Sequence, residues 1–350
     1  MCQAVAWEGL DIEDQFVVRI YGRREDGKSL AVGVPFNPYF YVKIRRTHSF
    51  TEIKTEIKNH FRDSVVSVTE VKAKDLWGFQ NGLVSRFVRL EFNTLRNMRI
   101  CASVIEKGGA LKQFGKLKIY ESNIDPVLRF MHVTGIKSTG WFEVTGAEPD
   151  FSTTCDINLW APSIDMLKPL DRDDMAPLRI MSFDIECYSH DGAFPSASHP
   201  DDVVFQIGMT TRNFGQTETI RKCLCLKQTD APDCDSFETE RELLQAFEKY
   251  LIEIDPDIIT GWNIFGFDLE FLHDRAVKQN GLVPVWGRFK ESPIEIKKKI
   301  LSSSALGDNE LKMVPMRGRY VSWGGGRILF AGHLAPTQAP RQALPNSEPN

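Results

Sequence analysis

The first 120 residues alternate between short apolar strand patterns and helical patterns. Four runs of β-branched or alternating residues predict strands, at 38–44, 65–71, 85–92 and 116–120. Two segments with apolar residues at helical spacing lie between them, at 49–61 and 94–109. The order β-α-β-β-α predicts an α+β domain with a split βαβ pattern, which we assign to residues 1–145.

Residues 146–176 are polar and rich in Pro and Asp, so we interpret them as a connector between two domains. The second domain, 177–330, shows three strand patterns, then a helix, a short strand at 257–262 and another helix from about 266. Thr239 and Glu242 form a capping box for the first of these helices, and Asp255-Pro256 ends it. This order is typical of a ribonuclease H-like fold, so the chain as a whole is predicted to be an α/β protein.

Composition indicates a globular protein of two domains, with 350 residues, 42% hydrophobic and 26% charged. No stretch approaches the roughly 18 consecutive apolar residues that span a bilayer, and the acidic N-terminus does not resemble a signal peptide. We therefore expect an intracellular protein without a membrane partner. The seven cysteines are interpreted as reduced thiols. Cys223 and Cys225 alternate along a strand pattern, which favours packing, with zinc binding as the alternative.

A net charge of −4 argues against a uniformly basic nucleic-acid binder. It leaves room for local contacts to phosphates, because KIRR at 43–46 and IKKKI at 296–300 are basic clusters. Each cluster is also compatible with a solvated charged face.

Two acids stand two positions apart in the strand pattern MSFDIECYS at 181–189. Strand alternation sends Asp184 and Glu186 to one face and their neighbours to the other. Two carboxylates on one face repel each other, and a divalent cation such as Mg²⁺ or Mn²⁺ allows both to stay ionised. Solvated acids on an edge strand are the alternative interpretation.

A third acid follows a short strand in the stretch GWNIFGFDLEFL at 261–272. If strand 258–262 runs parallel to the first strand, Asp268 enters the same cleft from the first turn of the next helix. Three acids so arranged fit a two-metal phosphodiester hydrolase. Asn263 either caps the helix or faces a ligand. Phe265 and Phe267 either pack in the core or stack on an unpaired base.

Three segments carry a resemblance to family B DNA polymerases: FDIE at 183–186, AFPSASHPDDVVFQIG at 193–208 and GWNIFGFDLEFL. They resemble the first two exonuclease motifs of that family, in the same order. Upstream, 120–144 is similar to a segment that precedes the exonuclease domain in delta-type members, including those of large DNA viruses.

This resemblance implies a 3′→5′ proofreading exonuclease carried beside a polymerase in DNA replication. Asp184 and Glu186 would then be metal ligands for Mg²⁺ or Mn²⁺, and Asp268 would help to hold a second ion. Asn263 and Phe267 would contact the unpaired 3′ end of the primer, and the N-terminal domain would flank the template strand. The implied partners are DNA and a sliding clamp, and the implied location is the nucleus or an infected host cell.

The chain also departs from the family pattern. The third exonuclease motif is a Tyr followed four residues later by an Asp, but Tyr320 is followed by Gly324. The tail at 331–350 is rich in Pro, Ala and Gln and is predicted to be disordered, which is typical of a frameshift, an alternative ending or a truncation. None of the polymerase active-site motifs occurs.

We therefore expect the front portion of a polymerase, with an exonuclease domain that is incomplete at its C-terminal end and inactive alone. A non-catalytic module that binds nucleic acid or a partner, and a free-standing exonuclease, are the alternatives.

Overall fold

The computed structural model describes residues 1–75, 81–303 and 307–323, with a mixed α/β fold and four sheets in that part of the chain. Gly324, the run at 325–330 and the predicted disordered tail at 331–350 lie outside the described residues.

The first half of the N-terminal region contains two sheets. The elements are β1 (Cys2–Ile12), β2 (Gln15–Arg24), β3 (Ser29–Pro35), β4 (Tyr39–Ile44), α1 (Phe50–Phe61), β5 (Val65–Lys74), β6 (Val84–Phe92), α2 (Leu95–Glu106) and β7 (Lys118–Tyr120). Strands β1 to β3 form an antiparallel meander, whereas β5-β6-β4-β7 form a separate four-stranded sheet that contacts α1 and α2. The predicted β-α-β-β-α order is confirmed for this second sheet.

The chain then returns to the meander. The elements are α3 (Pro126–Thr134), β8 (Trp141–Val144), β9 (Glu148–Pro149), β10 (Ile157–Trp160) and β11 (Leu167–Leu170). The strands complete a seven-stranded sheet in the order β11-β8-β1-β2-β3-β10-β9. Residues 146–176 are therefore more than the predicted connector, because they contribute three strands to this sheet. The domain boundaries stay a prediction.

The second half of the chain is built on one mixed sheet. The elements are β12 (Arg179–Cys187), β13 (Val204–Asn213), β14 (Ile220–Leu226), β15 (Cys234–Phe237), α4 (Glu240–Ile254), β16 (Ile258–Gly261), α5 (Asp268–Asp274), β17 (Lys297–Ser303), β18 (Gly307–Met313) and β19 (Tyr320–Trp323). The six-stranded sheet has the order β15-β14-β13-β12-β16-β19, with β12 and β16 parallel and β17-β18 as a separate hairpin.

Local signals define α4 as the sequence predicts. Both hydrogen bonds of the capping box between Thr239 and Glu242 are present. The helix ends at Ile254, and Asp255 adopts a left-handed conformation with φ 47°. Leu243, Phe247 and Leu251 of α4 are fully buried against the sheet. This helix therefore covers one face of the sheet.

A buried ion network joins the N-terminal sheet to the second half. Arg23 of β2 donates from Nε to Asp257 Oδ2 at 2.7 Å, and both side chains are at most 1% exposed. Arg288 bridges Asp255 and Asp257 with two contacts of 2.7 Å, and Arg319 also contacts Asp255. The pKa of Asp255 is lowered because these guanidinium groups outweigh its burial.

None of the described helices has the length and apolar character needed to cross a membrane. The IKKKI cluster falls on β17, and the side chains of residues 298–300 lie outside the described part of the structure.

Candidate active site

Asp184 and Glu186 stand on the solvent-exposed face of β12. Phe183 and Ile185, which alternate with them, are buried in the core. The ring of Phe183 lies 5.6 Å from that of Phe247 in α4, between centroids. The predicted alternation is confirmed, so both acids face away from the helix-covered side of the sheet.

Asp268 is the first residue of α5 and is only 3% exposed. Its Oδ1 accepts a hydrogen bond of 3.2 Å from the backbone N–H of Ile185. Because Ile185 follows Asp184 in β12, this bond brings the carboxyl group of Asp268 close enough to that of Asp184 for the two to interact electrostatically. The structure therefore brings Asp268 and Asp184 together, and Glu186 follows two residues further along the same strand face.

The surroundings of Asp268 change the proton affinity of its carboxyl group. Burial and the charge of Asp184 raise the pKa of Asp268 to about 6, although backbone N–H groups act in the opposite direction. A divalent cation would favour the ionised form of Asp268 instead of the protonated one. Carboxylate oxygens are the ligands that Mg²⁺ and Mn²⁺ prefer, so Asp184 and Asp268 have suitable chemistry for such an ion. The ligand atoms of Asp184, Glu186 and Asp268 do not all lie within 4.8 Å of one another in this structure. Their role as metal ligands stays a prediction.

The turn between β16 and α5 positions Asp268. Strand β16 ends at Gly261, where an added Cβ would lie 2.4 Å from the carbonyl oxygen of Phe183. Only glycine allows this close approach between the neighbouring strands. Asn263 then adopts φ 53°, and its carbonyl oxygen accepts from the N–H groups of Gly266 at 2.8 Å and Phe267 at 3.2 Å. This turn therefore places the start of α5 beside β12.

Asn263 does not cap α5, so that alternative from the sequence is wrong. The residue at the N-cap is Phe267, which makes no side-chain capping bond. Asn263 is exposed, and its amide group lies against Gly266, where an added Cβ would come within 2.3 Å of Oδ1. The amide therefore remains at the rim of the site, where a ligand can reach it.

Phe267 packs in the core, as one of the two alternatives from the sequence has it, and its stacking on a base stays a prediction. Its ring packs on Phe271 of the core at a centroid distance of 5.0 Å. On its other side it meets Phe194 at 4.9 Å in an edge-to-face arrangement. Phe194 is 77% exposed, so the pair presents an aromatic surface at the rim. Phe265 instead lines a separate cavity of about 240 Å³ with Trp7.

The loop that carries Phe194 is fixed by a buried acid. Asp202 accepts from the backbone N–H groups of His190 at 2.9 Å and Ser196 at 2.7 Å. These bonds lower the pKa of Asp202. Buried Arg275 donates to the carbonyl oxygen of His199 at 2.6 Å. Thus, both ends of the loop are held.

The sequence did not indicate a role for Phe194, or the hydrogen bonds of Asp202 and Arg275 that hold its loop. The available signal for Phe194 was a large aromatic residue in an otherwise small and polar loop. Asp202 and Arg275 have no local pattern, because they act on partners that are distant along the chain or on backbone atoms.

Asp184 lines a groove along the exposed face of the sheet. Its volume is about 460 Å³, and it is lined by Ser182 and Asp184 of β12, Gln206 and Gly208 of β13, and Cys223 of β14, among others. An extended strand of nucleic acid needs such an open surface rather than an enclosed cavity.

A mixed sheet with two acids on one strand and a third at the start of the helix after the neighbouring strand defines a ribonuclease H-like nuclease architecture. The family model described as "DNA polymerase family B, exonuclease domain" matches residues 117–321, more than half of the chain. The chain therefore belongs to the family B DNA polymerases.

Known relatives agree with this assignment. The chain is 26% identical to a DNA polymerase of Pyramimonas orientalis virus over 91% of its length, and 31% identical to one of Acanthamoeba polyphaga mimivirus over 76%. It is 30% identical to a DNA polymerase delta catalytic subunit of Oryza sativa over 87%. The chain spans 39%, 17% and 30% of these three relatives, respectively.

Among solved structures, the fold is similar to that of the family B DNA polymerase from Pyrobaculum calidifontis. The TM-score is 0.64 at 18% identity, and the match covers 92% of this chain and 36% of the archaeal chain. The recognition of the family from the sequence and the predicted fold class are both confirmed.

Proposed function

We propose that this chain is the N-terminal and exonuclease portion of a DNA polymerase acting in DNA replication, and that its site hydrolyses DNA from the 3′ end. The observation that carries the proposal is the buried carboxyl group of Asp268 close to that of Asp184, which lines an open groove. A buried acid beside a second carboxylate is costly without a cation, which supports metal-dependent chemistry at this site.

Each residue of the site has a proposed role. Asp184, Glu186 and Asp268 would supply the carboxylate charge that holds Mg²⁺ or Mn²⁺ in the site. When bound, such ions activate water and stabilise the leaving oxygen. The ring of Phe194, supported by Phe267, stacks on the unpaired terminal base. Asn263 donates a hydrogen bond to the terminal nucleotide and thereby orients it.

The central test is nucleotide release from single-stranded DNA labelled at the 3′ end, in the presence of Mn²⁺. Because a bound ion contributes several kcal/mol to the transition state, Asp184→Ala should reduce the rate by about 100-fold or more. Glu218→Gln, which changes an exposed acid in the β13–β14 loop, is the control and should keep the full rate.

We expect slow hydrolysis by the chain alone, because no Tyr is followed four residues later by an Asp in the sequence. Direct Mn²⁺ binding is therefore a second readout. Calorimetry should detect binding that both Asp184→Ala and Asp268→Asn remove. Hydrolysis and metal binding that survive both substitutions contradict the proposal.

The proposed stacking role of Phe194 leads to a separate prediction. In the Asp184→Ala chain, which protects the DNA from hydrolysis, Phe194→Ala should weaken binding of a single-stranded 3′ end. One lost stacking contact is worth about 1–3 kcal/mol, or roughly 5- to 150-fold in Kd. Phe151→Ala is the matched control, since Phe151 is 79% exposed and Phe194 77%. Equal effects of the two substitutions on Kd, measured by fluorescence anisotropy, contradict the stacking role.

One observation favours a second function, binding of nucleic acid by the N-terminal sheet. A groove of about 590 Å³ is lined by Lys43, Arg45, Arg46, Lys72 and Arg86. Lys72 of β5 and Arg86 of β6 thus lie in the same groove as the KIRR cluster. We propose that this groove contacts phosphates of the template strand.

Resemblance to the family also supports two partners and a location as proposals. These are primer–template DNA, a sliding clamp reached through other parts of a polymerase, and the nucleus or an infected host cell. If the clamp co-purified with this chain alone, the proposal that it binds through other parts of a polymerase would be contradicted.

A further inference from the structure

Three cysteine thiols meet on the exposed face of the six-stranded sheet. Cys223 and Cys225 alternate along β14, and Cys223 pairs with Cys234 across the parallel strand β15. Partners in adjacent strands project to the same side, so all three thiols share one face. Their sulfur atoms lie within 4.8 Å of one another, and those of Cys223 and Cys225 are 3.6 Å apart.

This spacing matches a metal site better than a disulfide. A disulfide requires sulfur atoms about 2.05 Å apart. In a tetrahedral zinc site, with zinc–sulfur bonds of about 2.3 Å, two thiolates lie about 3.8 Å from each other. The 3.6 Å separation of Cys223 and Cys225 is close to this value. All seven cysteines are free thiols, so no bond competes for these three.

The thiols are on the same side of the sheet as the candidate catalytic acids. Gly208 of β13 is paired with Asp184 on one side and with Cys223 on the other. An added Cβ at Gly208 would meet nothing within 4 Å, so the floor of the groove is open between them. Cys223 and Asp184 line the same groove.

We propose that Cys223, Cys225 and Cys234 bind one zinc ion as thiolates, with the fourth coordination position open to the groove that contains Asp184. Within the described part of the chain, no further His, Cys, Asp or Glu joins this group of ligand atoms. Three protein ligands and a solvent position form a stable zinc coordination pattern.

The two sites on this face select different ions. Soft thiolates favour zinc, whereas the carboxylates of Asp184, Glu186 and Asp268 favour Mg²⁺ or Mn²⁺. The zinc ion would also tie β15, an edge strand of only 4 residues, to β14. Zinc binding would thus stabilise the part of the groove formed by β14 and β15. The thiolates would not compete with the carboxylates for Mg²⁺ or Mn²⁺.

The test is titration of the reduced full chain with Co²⁺, which reports thiolate coordination by its charge-transfer absorption. We expect one thiolate-bound ion per chain, displaced by equimolar Zn²⁺ and unaffected by excess Mg²⁺. Cys223→Ser, Cys225→Ser and Cys234→Ser should each weaken binding by at least about tenfold, because an incomplete ligand set binds poorly. Cys187→Ser, which changes a half-buried cysteine of β12, should not alter it.

A second measurement keeps the proposal testable if a serine variant fails to fold. In the unmodified chain, Zn²⁺ should slow alkylation of the three thiols, but not that of Cys187, as read by mass spectrometry. Absence of a thiolate band, a band that persists in all three serine variants, or alkylation that Zn²⁺ does not change overturns the proposal.

Discussion

A buried carboxyl group beside a second one costs the folded chain stability whenever both are ionised. Asp268 is in this position, with a pKa raised to about 6 by burial and by Asp184. Because the folded-state pKa is above the unfolded one, the protonated form favours folding. That contribution is complete below about pH 4 and is lost as the pH rises through about 6.

Asp268→Asn should therefore stabilise the metal-free chain at pH 8. The amide oxygen can still accept from the N–H of Ile185, while the buried charge is removed. We expect a gain on the order of 1–3 kcal/mol at pH 8 that shrinks toward zero near pH 4. Urea denaturation in the presence of a chelator measures it, with Glu218→Gln as the control. A variant that is less stable than the unmodified chain at pH 8 contradicts the assigned environment of Asp268.

Helices and strands with local signals were predictable from the sequence. The capping box at Thr239, the apolar face of α4 and the stop at Asp255 all depend on neighbours within a few residues. The two acids of β12 follow from strand alternation alone. The approach of Asp268 to Asp184 was predicted from the parallel strand, but the turn at Asn263 that brings it about was not. A non-glycine residue with positive φ has no reliable local signature.

The strands within 146–176 could not be recognised from the sequence, because they are defined by pairing with strands that are distant along the chain rather than by a local residue pattern. Their prolines suggested a linker. In the structure, Pro149 lies in β9 and Pro169 in β11, which are the two edge strands of the seven-stranded sheet. Edge strands tolerate proline because one side of the backbone needs no partner. Composition alone does not distinguish such strands from a connector.

The four-stranded sheet carries a prediction about its basic groove. Arg86 of β6 donates to the carbonyl oxygens of Arg45, Arg46 and His48, and is paired with Glu70. It therefore holds the turn after β4 and leaves Arg45 and Arg46 exposed at the groove.

Replacing Arg45, Arg46 and Lys72 by Ala should weaken binding of single-stranded DNA and make it less sensitive to salt. Three lost phosphate contacts lower the slope of log K against log salt by about 2. Replacing three exposed lysines near α1 and α2, Lys58, Lys107 and Lys112, removes the same charge elsewhere and is the control. Equal slopes for the two triple variants contradict a specific role for the groove.

The ion network between the two halves makes a prediction for the entire chain. Arg23→Ala removes one partner of a fully buried pair with Asp257, so we expect a loss of about 3–5 kcal/mol. The adjacent Arg24 forms a pair with Asp26 in which the side chains are 37% and 45% exposed, and Arg24→Ala should cost less than about 1 kcal/mol. Urea denaturation of both variants measures the difference, and similar losses would contradict a structural role for the network.

The same network has a mechanical consequence. Guanidinium groups bond in fixed directions, so the contacts of Arg23 with Asp257 and with the carbonyl oxygen of Asp255 fix how β2 lies against the second half of the chain. The candidate nuclease groove consequently keeps a constant orientation toward the N-terminal sheet. Under the proposed function, a frayed DNA end would therefore have to move to the acids, because this buried contact opposes movement of the acids toward the N-terminal sheet.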